Sequence, residues 1–254
     1  NWPTTYYGPE TGVGLGIQHH PLRSDPTRQF RVGVVGLGVG TIAAYANARV
    51  DPEQDGASYV TVHEKSEPDY MRFYELNPLV IHWAKDRFTF LDDAVARGAD
   101  VDVFEGDARI VLERQLEQGE AQQFDVLAID AFSSDAIPIH LLTLESLQMY
   151  LAHLNTDGIL ALHVTNRFID LLPIVQRLAE ATGLNAIYIE NASSSSRSVS
   201  LSDWVLLTRN QEFLDLEIVV KEEKDMPAAG PLWTDDFSSL FGIVEINPKR
   251  RPLG

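Results

Sequence analysis

The segment Asp130-Ala131-Phe132-Ser133-Ser134-Asp135 places two carboxylates in one short turn, directly after an apolar run at 124–129. Such a pair can hold a cationic amine and take its proton. A protonated amine has no lone pair, so that proton must leave before the nitrogen can attack. The same two acids could instead satisfy backbone donors within the turn. His140 follows the turn and is a second acid–base candidate, or a surface residue at a helix entry. None of the histidines shows HxxxH or HxxE spacing, so no metal site is expected. The serines at 193–196 lack a G-x-S-x-G context, which argues against a serine hydrolase.

A second cluster of chemistry-bearing residues lies upstream. Val32-Gly33-Val34-Val35-Gly36-Leu37-Gly38-Val39-Gly40-Thr41 runs from a buried strand into closely spaced glycines. Glycines there let a backbone turn tightly and approach a ligand. The third glycine of Gly36-x-Gly38-x-Gly40 comes one residue too early for the dinucleotide fingerprint GxGxxG. The spacing fits the shorter loop of S-adenosylmethionine-dependent enzymes better, or a tight turn alone. An adenosyl ligand needs a carboxylate on its ribose hydroxyls at the end of the second strand. Glu75, in Phe73-Tyr74-Glu75-Leu76-Asn77-Pro78, is in a suitable place, and Glu64 is the rival if residues 60–62 form that strand. In Glu105-Gly106-Asp107-Ala108-Arg109, Asp107 could accept from an adenine amino group, cap the next helix, or do both.

These residues need a scaffold that brings strand ends together. From residue 30 onward, β-rich runs at 31–35, 72–75, 100–105, 124–129, 159–164, 186–190 and 204–208 alternate with helical patterns at 39–48, 78–83, 108–118, 143–154 and 171–182. That rhythm predicts a seven-stranded, mostly parallel sheet with helices on both faces. Ligands of such sheets bind outside the carboxyl ends of the strands, which would put Asp130 in the same crevice as the glycine loop. Asp170 is expected to cap the last helix and Gly183 to stop it. Residues 51–69 exceed a usual connection and read as an inserted ribbon or loop. The organisation expected is a short N-terminal segment with a strand (1–29), a Rossmann-like catalytic domain (30–210), and a C-terminal extension packed on it (211–254).

Composition narrows the partners. The 254 residues carry 20 Lys and Arg against 37 Asp and Glu, a formal net charge of −17, and no cysteine. Such a surface gains nothing from releasing counterions at nucleic-acid phosphates. Without cysteine there is no disulfide and no thiolate ligand. No apolar run approaches the roughly 20 residues of a membrane span. The charge is expected to attract cationic small molecules, or only to keep the protein soluble, with no nucleic acid and no membrane insertion by this chain. A homodimer is the assembly considered.

Taken in order, the Gly36–Thr41 loop, Tyr74-Glu75-Leu76-Asn77-Pro78, Gly106-Asp107-Ala108-Arg109 and Asp130 to Asp135 resemble the spermidine synthase-like (polyamine aminopropyltransferase) branch of the class I methyltransferase fold. The nearest resemblance is to the domain found fused to transporter-like membrane segments in bacteria. There Tyr6-Tyr7-Gly8-Pro9, Gly12-Val13-Gly14 and Leu232-Trp233-Thr234-Asp235-Asp236 also have counterparts. The likeness runs over residues 4 to 245. It implies a three-layer α/β/α fold in which Gly36, Gly38, Gly40, Glu75, Asp107, Ala108 and Asp130 hold S-adenosylmethionine or its decarboxylated form as donor. Glu75 would sit on the ribose and Asp107 on the adenine. Asp130, with Asp135, would deprotonate the attacking amine. Tyr7, Asp135, Trp233 and Asp235 would surround the acceptor, a small cationic amine or polyamine, and methylthioadenosine would leave. A cytoplasmic location, with or without a membrane tether outside this chain, goes with the resemblance.

Two positions depart from the family pattern. Val39 stands where the family loop GGGDGG has the Asp that holds the donor's amino group. Three residues, Phe132 to Ser134, separate Ala131 from Asp135, where the family has a compact Asp-x-Ser-Asp-Pro. Two rival readings follow: a methyltransferase on the same fold, and a non-catalytic sensor of polyamine or adenosyl ligand. Trp233 and Asp235 could also belong to a helix cap, and Tyr6 and Tyr7 could merely pack on the sheet.

Overall fold

Apolar residues that alternate in sequence are divided between two cores. In β1 (Arg31–Val35), Val32 and Val34 belong to one buried cluster and Val35 to the other, as the two-residue period of a strand requires. The computed structural model describes residues 3–50, 59–61, 66–131, 138–166, 169–193 and 199–239. The remaining strands are β2 (Ala48–Val50), β3 (Tyr59–Thr61), β4 (Tyr70–Glu75), β5 (Asp100–Glu105), β6 (Phe124–Ile129), β7 (Leu154–His163), β8 (Asn185–Asn191), β9 (Ser202–Thr208) and β10 (Glu223–Lys224). Every residue of β6 is buried, with Val126 and Ala128 in one core and Leu127 and Ile129 in the other. A strand covered on both faces reads as a continuous apolar run, and this one does from Val126 to Ile129, while the buried Asp125 near its start pairs with Arg28 and accepts from Arg31 N–H.

The main sheet has eight strands in the order β10-β8-β9-β7-β6-β1-β4-β5. Strands β5, β4, β1, β6 and β7 run parallel, and β9 and β10 pair antiparallel with their neighbours. The chain builds outward from β1 to β4 and β5, then returns to the other side of β1 with β6. The strand order therefore reverses between β1 and β6, and ligands of open α/β sheets bind in the crevice at such a point.

Helices α1 (Gly12–Gln18), α2 (Pro78–Arg87) and α3 (Phe90–Ala96) cover one face, together with the 3-10 turn Thr41–Tyr45. Helices α4 (Ala108–Glu117), α5 (Leu144–His153) and α6 (Leu172–Thr182) cover the other. Their starts follow local chemistry. Asn77 caps α2 ahead of Pro78, and Asp107 caps α4 by accepting from Arg109 and Ile110 N–H. Thr143 and Ser146 form a capping box at α5. Gly183 ends α6 in the left-handed region, while Asp170 accepts from Leu172 N–H just ahead of its first turn.

Several expectations are corrected. The sheet has eight strands, because Glu223–Lys224 adds a short antiparallel edge beside β8. The helix expected at 39–48 is only the 3-10 turn Thr41–Tyr45 followed by β2, since positive φ at Gly36, Gly38 and Gly40 delays regular winding. The long connection holds the antiparallel ribbon β2–β3, so Tyr59–Thr61 is not the second strand of the main sheet. β4 pairs with β1 there, which makes Glu75 the strand-end acid, and Glu64 lies outside the described residues. The N-terminal segment is a helix rather than a strand, apart from one bridge of Thr5 to Val199. Its glycines hide it from propensity, because close packing overrides their poor helix preference. A Cβ at Gly14 would lie 2.3 Å from the Gly8 carbonyl oxygen. Among the described residues, no helix is long and apolar enough to cross a membrane.

Candidate functional site

The carboxyl ends of β1, β4, β5 and β6 open into a cavity of about 460 Å³. β1 contributes Val35, Gly36 and Gly38; β4 contributes Tyr74, Glu75, Leu76 and Asn77; the β5 end contributes Gly106, Asp107 and Ala108; the β6 end contributes Asp130 and Ala131. Tyr7, Val80, Pro138, His140 and Leu141 complete the described lining. Parallel register makes this convergence unavoidable: Val35 lies beside Tyr74 and Ile129, and Glu75 beside Glu105.

Gly36 is required where it stands. Its φ is +99°, and a Cβ there would lie 2.5 Å from the Asp130 carbonyl oxygen. The two central strand ends are thus in backbone contact at the point where the strand order reverses. Gly38 also has positive φ, with nothing within 4 Å of an added Cβ, so the loop borders open space. Gly40 is not part of the described lining; it precedes the 3-10 turn and would meet Leu91 and Phe90.

Glu75 is held by two backbone donors, Leu37 N–H to Oε2 at 3.0 Å and Asn77 N–H to Oε1 at 2.9 Å. Each oxygen retains a lone pair for a ligand hydroxyl. Asp107 spends Oδ1 on the cap of α4, and its Oδ2 lies 3.7 Å from His140 Nε2. His140 itself is half exposed at the rim.

Asp130 is nearly buried, with 8% side-chain exposure. Its Oδ2 accepts the Tyr7 hydroxyl at 2.7 Å, and its Oδ1 lies 2.6 Å from His163 Nδ1. Burial, followed by the Asp130 charge, pushes the Tyr7 phenol well above its ordinary value of 10.0, so Tyr7 remains a donor. Tyr7 is fixed in turn by Tyr45, whose hydroxyl donates to the Tyr7 carbonyl at 2.5 Å. Glu75, Asp107 and Asp130 therefore face one cavity, and no Lys or Arg occurs among its described lining residues. Such a lining can accept hydrogen bonds from hydroxyls and is compatible with a cationic ligand.

The remaining candidates are not among the described lining residues of this cavity. Asp135 lies outside the described residues, as do Phe132 to Ser134. Trp233, expected at the acceptor, is 1% exposed and packs in the core with α5 and α6. Asp235 forms a two-point ion pair with Arg109, Nη1 to Oδ1 at 2.7 Å and Nη2 to Oδ2, and also accepts from the Thr143 hydroxyl. These hydrogen bonds, Arg109's first, hold the Asp235 carboxyl below its ordinary value. The same pair raises Arg109 further above its own. Asp235 thus clamps the C-terminal segment to the first turn of α4, next to Asp107 and Ala108. Tyr6 is partly exposed, its ring 5.5 Å from that of His163.

His163 is the participant that motif reading passes over. Its spacing from other histidines matches no metal-binding motif and carries no other signal. Strand register was the available signal. Ile129 pairs with Leu162 in parallel, so the residues that follow them, Asp130 and His163, end adjacent strands side by side.

Comparison with known proteins bears on the fold. No family model matches the chain. Over 138 residues, 54% of this chain, it is 30% identical to a polyamine aminopropyltransferase of Vibrio vulnificus (strain CMCP6); the matched stretch spans 38% of that relative's length. Among solved structures, human methyltransferase-like protein 13 in complex with SAH has a TM-score of 0.52 at 15% identity, covering 84% of this chain and 90% of that one. Spermidine synthase from Thermotoga maritima has a TM-score of 0.45 at 16% identity, covering 84% of this chain and 65% of that one. The fold is the Rossmann-like α/β fold of methyltransferases.

Proposed function

We propose that this chain is a transferase that binds an S-adenosylmethionine-type donor in the cavity and moves its aminopropyl-type group to an amine, releasing methylthioadenosine. The observation that carries the reading is the position of Asp130. It is a nearly buried carboxylate held by Tyr7 in the same cavity as Gly36, Gly38, Glu75 and Asp107. Glu75 would accept from the ribose hydroxyls, and Asp107 Oδ2 from the adenine amino group. The donor's sulfonium would then lie near Asp130, where negative charge is concentrated.

In this mechanism the acceptor enters as an ammonium and gives one proton to Asp130. The free amine attacks the carbon bonded to sulfur, the C–S bond breaks, and its electron pair stays on the neutral thioether. Tyr7 keeps Asp130 Oδ2 directed toward the acceptor. Positioning of two reactants in line supplies much of the rate. The 30% identity to a polyamine aminopropyltransferase supports an amine as the acceptor.

One observation favours a second reading. The loop Gly36–Tyr45 carries no carboxylate to bind the amino group of a decarboxylated donor, as Val39 shows. Methyl transfer on the same fold has no need of one. Product identity separates the two. The protein is incubated with S-adenosylmethionine or its decarboxylated form, with and without putrescine or spermidine, and products are identified by mass spectrometry. Methylthioadenosine together with an alkylated amine supports aminopropyl transfer; S-adenosylhomocysteine indicates methyl transfer; no turnover despite measurable ligand binding indicates a sensor.

A further inference from the structure

His163 ends β7 behind Asp130, away from the described lining of the cavity, with 3% side-chain exposure. Its ring stacks on Trp204 at a centroid distance of 4.4 Å and an interplanar angle of 6°. Both ring nitrogens are engaged: Nδ1 lies 2.6 Å from Asp130 Oδ1 and Nε2 lies 2.9 Å from Thr165 Oγ1. The Thr165 hydroxyl already accepts from Asp203 N–H at 2.7 Å. An ionised carboxylate can only accept, so the ring proton that faces Asp130 sits on Nδ1, and the Thr165 hydroxyl hydrogen is the donor to Nε2. The other two buried histidines among the described residues have the opposite arrangement. Backbone N–H groups of Leu22 and Gln122 donate to Nδ1 of His20 and His153, so their protons sit on Nε2, facing the Asp157 and Leu112 carbonyls.

We infer that His163 is a positioning residue for the proposed reaction: as the Nδ1–H tautomer, it pins Asp130 Oδ1 and leaves Oδ2, with Tyr7, as the oxygen that receives the amine's proton. A carboxylate fixed at one oxygen cannot swing out of line with the acceptor. Trp204 and Thr165 hold the imidazole in plane, as a third group orients the base in a catalytic triad. The order here is reversed, since the imidazole is behind and the carboxylate faces the substrate. This role rests on the reading of Asp130 as the base, so its test has an arm that needs no turnover.

Protein labelled with ¹⁵N at histidine gives long-range ¹H–¹⁵N correlations that report each tautomer. The expected spectrum has a ring protonated at Nδ1 that is lost in His163→Asn, and the rings of His20 and His153 protonated at Nε2. Two variants then read the role in catalysis. His163→Phe keeps the stack on Trp204 and removes the donor, and kcat should fall about 100-fold with the donor-substrate KM little changed. His163→Asn places an amide N–H near the position of Nδ1 and should recover at least about ten-fold over His163→Phe. An Nε2–H tautomer for His163, or equal losses in the two variants, overturns the assignment. If the wild type turns over no donor, the proposed activity fails, and the tautomer alone decides whether His163 donates to Asp130.

Discussion

Gly36 and Gly38 are two residues apart, both have positive φ, and both line the cavity, yet an added methyl group should do different things at each. At Gly36 an alanine must adopt φ near +99° and place its Cβ 2.5 Å from the Asp130 carbonyl oxygen and 2.9 Å from its carbon. Left-handed backbone costs an alanine about 1–2 kcal/mol, and forcing a methyl group into packed backbone adds about 1–3 kcal/mol. The sum is about 2–5 kcal/mol, which at about 2–4 °C per kcal/mol lowers Tm by roughly 4–20 °C. At Gly38 nothing lies within 4 Å of the new Cβ. Only the backbone cost of about 1–2 kcal/mol applies, or roughly 2–8 °C. Because Gly38 borders the cavity, its methyl group should instead weaken methylthioadenosine binding, by about ten-fold. Thermal unfolding and calorimetric titration of both variants measure the contrast. Equal Tm losses, or a larger loss for Gly38→Ala, would refute the contact between the two strand ends.

Three other outcomes follow from the same structure. Tyr7→Phe removes the donor to Asp130 Oδ2 and should lower kcat about ten-fold or more, while the wild-type phenol stays protonated at pH 10; ultraviolet difference titration of the two proteins checks the second point, and a Tyr7-dependent phenolate signal below pH 10 contradicts it. Burial lowers the pKa of His20 and His153 from 6.5, so the unfolded chain binds protons that the folded chain does not as pH falls below 6.5. Stability is full above 6.5 and declines below it, and a urea midpoint that is unchanged between pH 7.5 and pH 5.5 would show that these rings are not buried neutral. The Asp235 carboxyl is held below 3.8, so its contribution is full above that value and lost as pH falls through the folded one; Asp235→Asn and wild type should differ in urea midpoint at neutral pH and converge in acid.

The sheet is legible in the sequence because its central strands are buried on both faces. Apolar runs such as 124–129 admit few other readings, and turn residues mark their ends. Glu75, Asp107 and Asp130 stand out as candidate site residues because each lies at the end of a strand-like segment, although the one before Asp107 is the partly exposed edge strand β5. Parallel strands bring those positions to one edge. The features that local pattern hides depend on contacts between segments distant in sequence. Asp235 pairs with a residue 126 positions away, which no local pattern encodes. Trp233 looks like a pocket wall in sequence, but its ring completes the core over α5 and α6. The helix Gly12–Gln18 is obscured by glycines that packing against Gly8 and Trp204 demands. His163 is obscured for the opposite reason, since a lone histidine ending an apolar strand carries no motif of its own.

The central claim is that Asp130 is the base and does not hold the adenosyl group. Single-turnover product formation in Asp130→Asn, measured alongside methylthioadenosine affinity, tests it most directly. The asparagine keeps the shape and can still bond to Tyr7 and His163, but it cannot take a proton from an ammonium. A fall in rate of at least about 100-fold with affinity nearly unchanged is the result expected. An unchanged rate, or a loss of affinity that accounts for the whole effect, would contradict it.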